Sequence, residues 1–271
     1  MLRWPALILS ALISLTSNAA QACGTESKCR IGDRHYYIAM PPGHDGKTPV
    51  PAAIFAHGLQ GTALGSVRNP RLRAVAQQYG FALIGIKSRG DSWNTPGSPF
   101  DTGDGGRDEL NYIDAVLADA AKRFPLQTDR IVMSGASAGG MLTWFLACER
   151  SAVFAGFVPM SGTFWDPLPR KCTKPVANIV HFHGDNDRTV PLQGRAVAGK
   201  QQGSVTEAFD LYTRFGNFRR PKQTQVEDMT CQTRANRRSN ILNFCLYPGR
   251  HSFRSANLGI AWQMLRAAGQ L

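Results

Sequence analysis

The stretch Gly135-Ala136-Ser137-Ala138-Gly139 constrains this chain more than any other. It follows the apolar run Arg130-Ile131-Val132-Met133 and opens a run of helix formers from Met141 to Ala147. Strand, sharp turn and helix is the setting in which the serine of a G-x-S-x-G pattern stands with its Oγ clear of a sheet edge. Such a turn is strained, and a side chain in place of a flanking glycine would collide with the backbone. Ser137 is therefore the candidate nucleophile. A serine that only caps the following helix would leave the same pentapeptide, so its partners have to separate the two readings.

The N-terminus bounds the compartment. Arg3 precedes an apolar stretch from Pro5 to Leu15, and Ala20-Gln21-Ala22 comes just before Cys23. Residues 1–22 read as a secretory signal peptide, whose apolar part is too short to stay as a membrane span. No later segment is long and uncharged enough to be one, so the expectation is a secreted or periplasmic protein without a stable membrane anchor. Acylation of Cys23 is disfavoured, since Ala20 and Gln21 match the lipoprotein pattern poorly. Residues 23–271 have the length of one α/β catalytic domain. Six cysteines in an exported chain suggest three disulfides. The pairing expected is Cys23 with Cys29 as an N-terminal clip, Cys148 with Cys172, and Cys231 with Cys245. No cysteine pair has zinc-ligand spacing with histidines nearby, so no metal is expected.

The formal net charge is +12. The excess falls late, in Arg214, Arg219, Arg220, Lys222, Arg234, Arg237, Arg238, Arg250 and Arg254. Such a face would attract polyanionic cell-wall material or carboxylated substrates. A solvated basic face is the simpler reading. No nucleic-acid motif or aromatic-interleaved basic stripe accompanies the charge, so no nucleic-acid partner is expected.

Strands are predicted over 34–40, 50–56, 81–86, 130–133, 154–160, 176–182 and 241–247, most of them continuously apolar as in a sheet buried on both faces. Asn69-Pro70 starts a helix that runs to about Tyr79. Leu110, Ile113, Leu117, Ala121 and Phe124 recur at helical spacing before Pro125. The alternation implies an α/β fold, a doubly wound and mostly parallel sheet with helices on both faces. Between strand and helix, Lys87 to Gly106 forms a long loop after a strand's carboxyl end, where open α/β sheets bind ligands.

In this architecture the nucleophile is followed in chain order by an acid and then a histidine. His251 is the only histidine after the acid-rich turn His183-Gly184-Asp185-Asn186-Asp187. It lies just past a strand, so it is the candidate base. Of the two aspartates, Asp185 is placed to bond its own turn's backbone, which leaves Asp187 to face His251. His57-Gly58-Leu59-Gln60, at an early strand end, offers N–H groups to a developing oxyanion. The donors expected are the N–H of Ala138 and of Leu59, with Gln60 as the alternative to Leu59. His57 is read as fixing that loop.

Together, His57 to Thr62, Gly135 to Gly140, His183 to Pro191 and Gly249 to Ser252 resemble the secreted α/β-hydrolase esterases of the polyhydroxybutyrate depolymerase and feruloyl esterase family. The resemblance runs from about Arg34 to the end of the chain. It implies the α/β-hydrolase fold, a Ser-His-Asp triad that needs no cofactor, and the cleavage of hydroxyalkanoate, feruloyl or acetyl esters. The acid in the family's His-Gly-x-x-Asp stretch falls on Asp187. Around the base this chain departs from the family, with Arg250 and Phe253 where a Gly and a Trp are usual. Trp93, Phe100 and Trp165 sit on loops after strands and are the expected substrate wall, although aromatic residues there also serve as hydrophobic anchors. A secreted serine peptidase is the alternative enzyme, and a non-catalytic binding protein on a hydrolase scaffold the alternative outside catalysis.

Overall fold

A computed structural model describes residues 23–271; the expected signal peptide over 1–22 lies outside the described residues. The chain begins with the strands β1 (Cys29–Ile31), β2 (Arg34–Ala39) and β3 (Val50–Ala56). Helices α1 (Ala63–Arg68) and α2 (Pro70–Tyr79) lead to β4 (Ala82–Ile86), and α3 (Arg107–Arg123) leads to β5 (Leu126–Ala136). The helix α4 (Ala138–Glu149) follows, then β6 (Gly156–Met160), β7 (Ile179–Gly184) and a small hairpin, β8 (Ala196–Val197) and β9 (Lys200–Gln201). Helix α5 (Val205–Gly216), strands β10 (Lys222–Val226), β11 (Met229–Ala235) and β12 (Ile241–Tyr247), and helix α6 (Ala256–Ala267) complete the chain.

Ten strands form one sheet in the order β1-β2-β4-β3-β5-β6-β7-β12-β11-β10. Pairing is parallel from β4 through β12 and antiparallel at each edge, where β1-β2 and β11-β10 add hairpins. Every residue of β4, β6 and β7 is buried. That explains their unbroken apolar character, because a parallel strand covered on both faces has no solvent side to make polar. One core layer joins the sheet to α3, α4 and α5 through Ile113, Val116, Trp144, Phe209 and Tyr212. The other joins it to α2 and α6 through Leu72, Val75, Leu258 and Trp262, the last stacked on Phe81 with ring centroids 4.3 Å apart.

Local signals account for the helix that the sequence delimited best. Asn69 caps α2 by accepting the N–H groups of Arg71 and Leu72, Pro70 fills the first turn, and Gly80 closes it with φ 70°. Other expectations change. The nucleophile strand is longer than 130–133, because β5 starts at Leu126 in solvent-facing residues that lack an apolar signature. The hairpin β10-β11, α5, α6 and the short α1 were not foreseen. The hairpin reads as polar because β10 is an edge strand exposed along most of its length, and its Lys222 and Arg234 belong to the basic face noted above.

The structure joins Cys23 with Cys29, Cys148 with Cys172, and Cys231 with Cys245. The third links directly opposed residues of β11 and β12, and so braces the strand that delivers His251. Among the described residues no helix is long and apolar enough to cross a membrane.

Candidate active site

Ser137 sits between the end of β5 and the start of α4 with φ 57° and ψ −120°. A β-carbon has little room in that region, and residues held there cost on the order of 1–3 kcal/mol unless their surroundings fix them. Its surroundings do so. The Ser137 N–H donates to Met160 O at 2.9 Å, and its carbonyl accepts the Met141 N–H at 3.0 Å. The flanking glycines are required by close approach. A β-carbon on Gly135 would stand 2.3 Å from Gly139 O, and one on Gly139 would stand 2.0 Å from Ala56 O. Strand β5 and helix α4 therefore pack backbone against backbone, and Ser137, whose Oγ has no hydrogen bond among the described residues, lines two cavities.

Asp187 and His251 come from the ends of neighbouring parallel strands, β7 and β12. His251 Nδ1 donates to Asp187 Oδ2 at 2.7 Å, which leaves Nε2 for a proton from elsewhere. The other carboxylate oxygen, Oδ1, accepts the N–H groups of Thr189 at 2.8 Å and Val190 at 2.9 Å. Burial opposes ionisation of this carboxyl, but hydrogen bonds from His183, His251 and Val190 outweigh it and hold its pKa well below the usual range. The expected role of Asp185 needs correction. Its Oδ1 accepts the Gly249 N–H at 3.0 Å, so it fastens the base loop instead of its own turn. Asn186 N–H donates to Gly249 O, and Tyr247 OH to Ser252 O at 2.8 Å, so the loop carrying His251 is pinned at both ends.

In the loop beside Ser137, the Leu59 N–H has no acceptor among the described residues, and Ala138 is the first residue of α4, whose N–H has no partner within the helix. The alternative donor drops out, because the Gln60 N–H is taken by Asp91 O at 2.7 Å. Gly58 lies so close that a β-carbon there would be 3.4 Å from Ser137 Cβ. His57 holds this loop, with Nδ1 bonded to Gly58 O at 2.7 Å and Nε2 accepting the Ser88 N–H at 3.3 Å. Burial lowers its pKa to about 4, so it is neutral at pH 7.

The three expected wall residues line one cavity of about 130 Å³ together with Ser137, Leu59 and Ala138. They do not contribute alike. Phe100 is exposed and Trp165 half-buried, but Trp93 is almost fully buried, donates its indole N–H to His57 O at 2.8 Å and lies against the His57 ring. Trp93 is thus as much a support of the oxyanion loop as a wall. It rests in turn on a buried ion pair that local sequence did not signal. Arg34 Nη2 meets Glu109 Oε2 at 2.6 Å, and Glu109 Oε1 accepts the Asn94 N–H at 2.9 Å. A second cavity of about 470 Å³ shares Ser137 with the first and is lined by His251, Ser161, Phe253, Thr62 and Asn69.

No protein-family model matches the chain. Feruloyl esterase B of Neurospora crassa is 34% identical over 115 residues, which are 41% of this chain and 39% of that protein. Dipeptidyl-peptidase 5 of Porphyromonas gingivalis is 31% identical over 142 residues, which are 49% of this chain and 20% of that protein. The chain spans less than half the length of the curated relatives it matches. Among solved structures, an acetyl xylan esterase from Aspergillus awamori superposes with a TM-score of 0.62 at 14% identity, covering 86% of this chain and 94% of that one. The ten-stranded sheet and the strand-turn-helix at Ser137 agree with that likeness, and in fold the chain is an α/β hydrolase.

Proposed function

We propose that this chain is a secreted serine carboxylic-ester hydrolase, with Ser137 as nucleophile, His251 as general base and Asp187 as the acid partner. The observation that carries the reading is the 2.7 Å bond from His251 Nδ1 to Asp187 Oδ2, beside a serine held at φ 57° in a glycine-walled turn. Ser137 Oγ attacks the ester carbonyl carbon and passes its proton to His251 Nε2. The carbonyl oxygen becomes an oxyanion between the N–H groups of Leu59 and Ala138, where loss of one donor costs about 2.7–4 kcal/mol. Collapse expels the alcohol, which takes the proton from His251, and a water repeats the cycle on the acyl-enzyme. The triad needs no cofactor for these steps.

The two cavities support a division of the substrate. His251 must return its proton to the leaving oxygen, so the alcohol occupies the larger and more polar cavity that His251 lines. The acyl group then points the other way, into the smaller space among Trp93, Phe100, Trp165 and Met141. A compact or flat acyl group on a bulky polyol suits this better than a polymer of identical units. Feruloyl or acetyl esters on soluble or oligomeric polysaccharide are therefore favoured over hydroxybutyrate oligomers. The expected signal peptide and three disulfides support export.

A serine peptidase would use the same groups on an amide, and the stretch shared with a dipeptidyl-peptidase favours keeping that second reading. Assay of p-nitrophenyl acetate, methyl ferulate and a peptide anilide with wild type and Ser137→Ala separates the two. Ester turnover that Ser137→Ala abolishes is the expected result. Preferential cleavage of the anilide would select the peptidase, and wild-type turnover by Ser137→Ala would remove Ser137 from both.

A further inference from the structure

Two histidines that chain order excluded as the base lie directly behind the acid. His181 and His183 alternate on one face of β7, fully buried, with His181 Nε2 2.9 Å from His183 Nδ1. Trp144 Nε1, from the helix that Ser137 opens, donates to His181 Nδ1 at 3.1 Å. At the far end, His183 Nε2 lies 2.8 Å from Val190 O and 3.4 Å from Asp187 Oδ2.

The chemistry of the two ends fixes every proton between them. An indole nitrogen only donates, so His181 Nδ1 is an acceptor and its proton is on Nε2. His183 Nδ1 must then accept, which places its proton on Nε2. The other end gives the same answer independently, because a carbonyl oxygen only accepts. His183 thus offers one N–H, chiefly to Val190 O and at longer range to Asp187. Both backbone polar groups of Val190 are held, its carbonyl by His183 and its N–H by Asp187 Oδ1. From this geometry we infer that Trp144, His181 and His183 form a one-way donor chain that positions Asp187, and through it keeps His251 in the tautomer with a free Nε2. All three are positioning residues. The chain also ties the nucleophile helix to the acid turn across the sheet.

Surroundings support a neutral His181. His181 is packed among Trp144, Phe209 and Phe244, and burial holds its pKa well below the usual value, with His183 acting in the same direction. A carboxylate facing a histidine that can only donate stays an acceptor on Oδ2. Consequently His251 Nδ1 must be the donor in their shared bond.

The inference rests on the proposed triad, and its test separates the two. Nitrogen-15 imidazole NMR of the wild-type protein reads the tautomers without any substitution. At pH 7 both rings should carry a proton on Nε2 and none on Nδ1, and His181 should stay neutral between about pH 5 and pH 9. A proton on Nδ1 of either ring at pH 7, or titration of His181 within that range, overturns the chain. Kinetically, His183→Leu should lower kcat at least tenfold with KM within twofold, and His183→Gln, which restores a donor, should recover most of the loss. Wild-type kcat in His183→Leu overturns the positioning role. If His183→Leu does not fold, Trp144→Phe keeps a ring at the head and removes only its N–H, and should leave His181 in a mixture of tautomers. An unchanged single tautomer there contradicts the inference. His251→Ala is the control: full activity in that variant defeats the triad, while the NMR result still stands or falls by itself.

Discussion

The two sides of Ser137 are held by opposite kinds of chemistry. On the acid-base side, one ionised carboxylate, Asp187, is surrounded by N–H donors: two backbone N–H groups, His183 and His251. On the oxyanion side the working groups are uncharged N–H donors, and the buried charges, Arg34 and Glu109, stand behind Trp93 and His57. Charge is kept where the proposed reaction would create a cation on His251. It is kept away from Leu59 and Ala138, where a nearby carboxylate would oppose the developing oxyanion. One side is therefore set by proton positions and the other by packing, and substitutions should separate them.

The largest expected effect is on the acid side. Asp187→Asn can still accept the Thr189 and Val190 N–H groups, so folding should survive, but its amide would face His251 Nδ1 with a donor. The reversed tautomer should lower kcat by about 10⁴, the size found for the same change in a serine protease, in steady-state assays on p-nitrophenyl acetate. Little loss would mean that Asp187 does not orient His251.

On the oxyanion side the leading effect should be on stability. Glu109→Ala leaves Arg34 only the longer pair with Asp108 and its bond to Lys87 O, and leaves the Asn94 N–H unpaired, which should cost about 3 kcal/mol in denaturant unfolding. Acidity sharpens the contrast. The lowered pKa of Asp187 gives stability that is present above its ordinary value of about 3.9 and lost as pH falls below it. Glu109 has the opposite sign. Burial raises its pKa despite Arg34, so its contribution is complete below about pH 4 and declines as pH rises through the raised value. Unfolding free energy measured against pH should therefore flatten below about pH 4 in Asp187→Asn and above about pH 4 in Glu109→Gln. The same change of curve in both variants would refute the division.

Smaller effects distinguish wall from support. Trp93→Phe keeps a ring in the acyl cavity but removes the bond to His57 O, for a loss of about 0.5–1.5 kcal/mol of stability. A fall in kcat on both acetyl and feruloyl esters would assign Trp93 to the loop, whereas a change confined to feruloyl KM would assign it to the wall. Asp185→Ala should matter least. It frees one exposed N–H at Gly249, at about 1 kcal/mol or less by thermal unfolding, with kcat nearly unchanged.

What the sequence made legible follows the same contrast. Gly135, Ser137 and Gly139 announce themselves because a strained turn needs its glycines adjacent in the chain. Asp187 and His251 emerge because topology imposes an order on them, and the structure brings the pair to 2.7 Å, with His251 lining the cavity that Ser137 faces and Asp187 buried behind it. Arg34 and Glu109, 75 residues apart, share no local pattern. Trp93 looked like a ligand contact because its loop position was readable and its hydrogen bond to His57 was not. His181 and His183 were visible only as rejected bases, since a tautomer depends on what touches both ring nitrogens. The polar hairpin β10-β11 escaped because an exposed edge strand has no apolar alternation to reveal it.

The central claim, that Ser137 carries the acyl group, has a direct measurement. Brief reaction with p-nitrophenyl acetate, acid quenching and mass spectrometry of the digested protein should find one acetyl group on the peptide containing Ser137, and none after Asp187→Asn under the same conditions. An acetylated residue elsewhere with Ser137 unmodified, or full turnover with no covalent intermediate on this serine, would contradict the account.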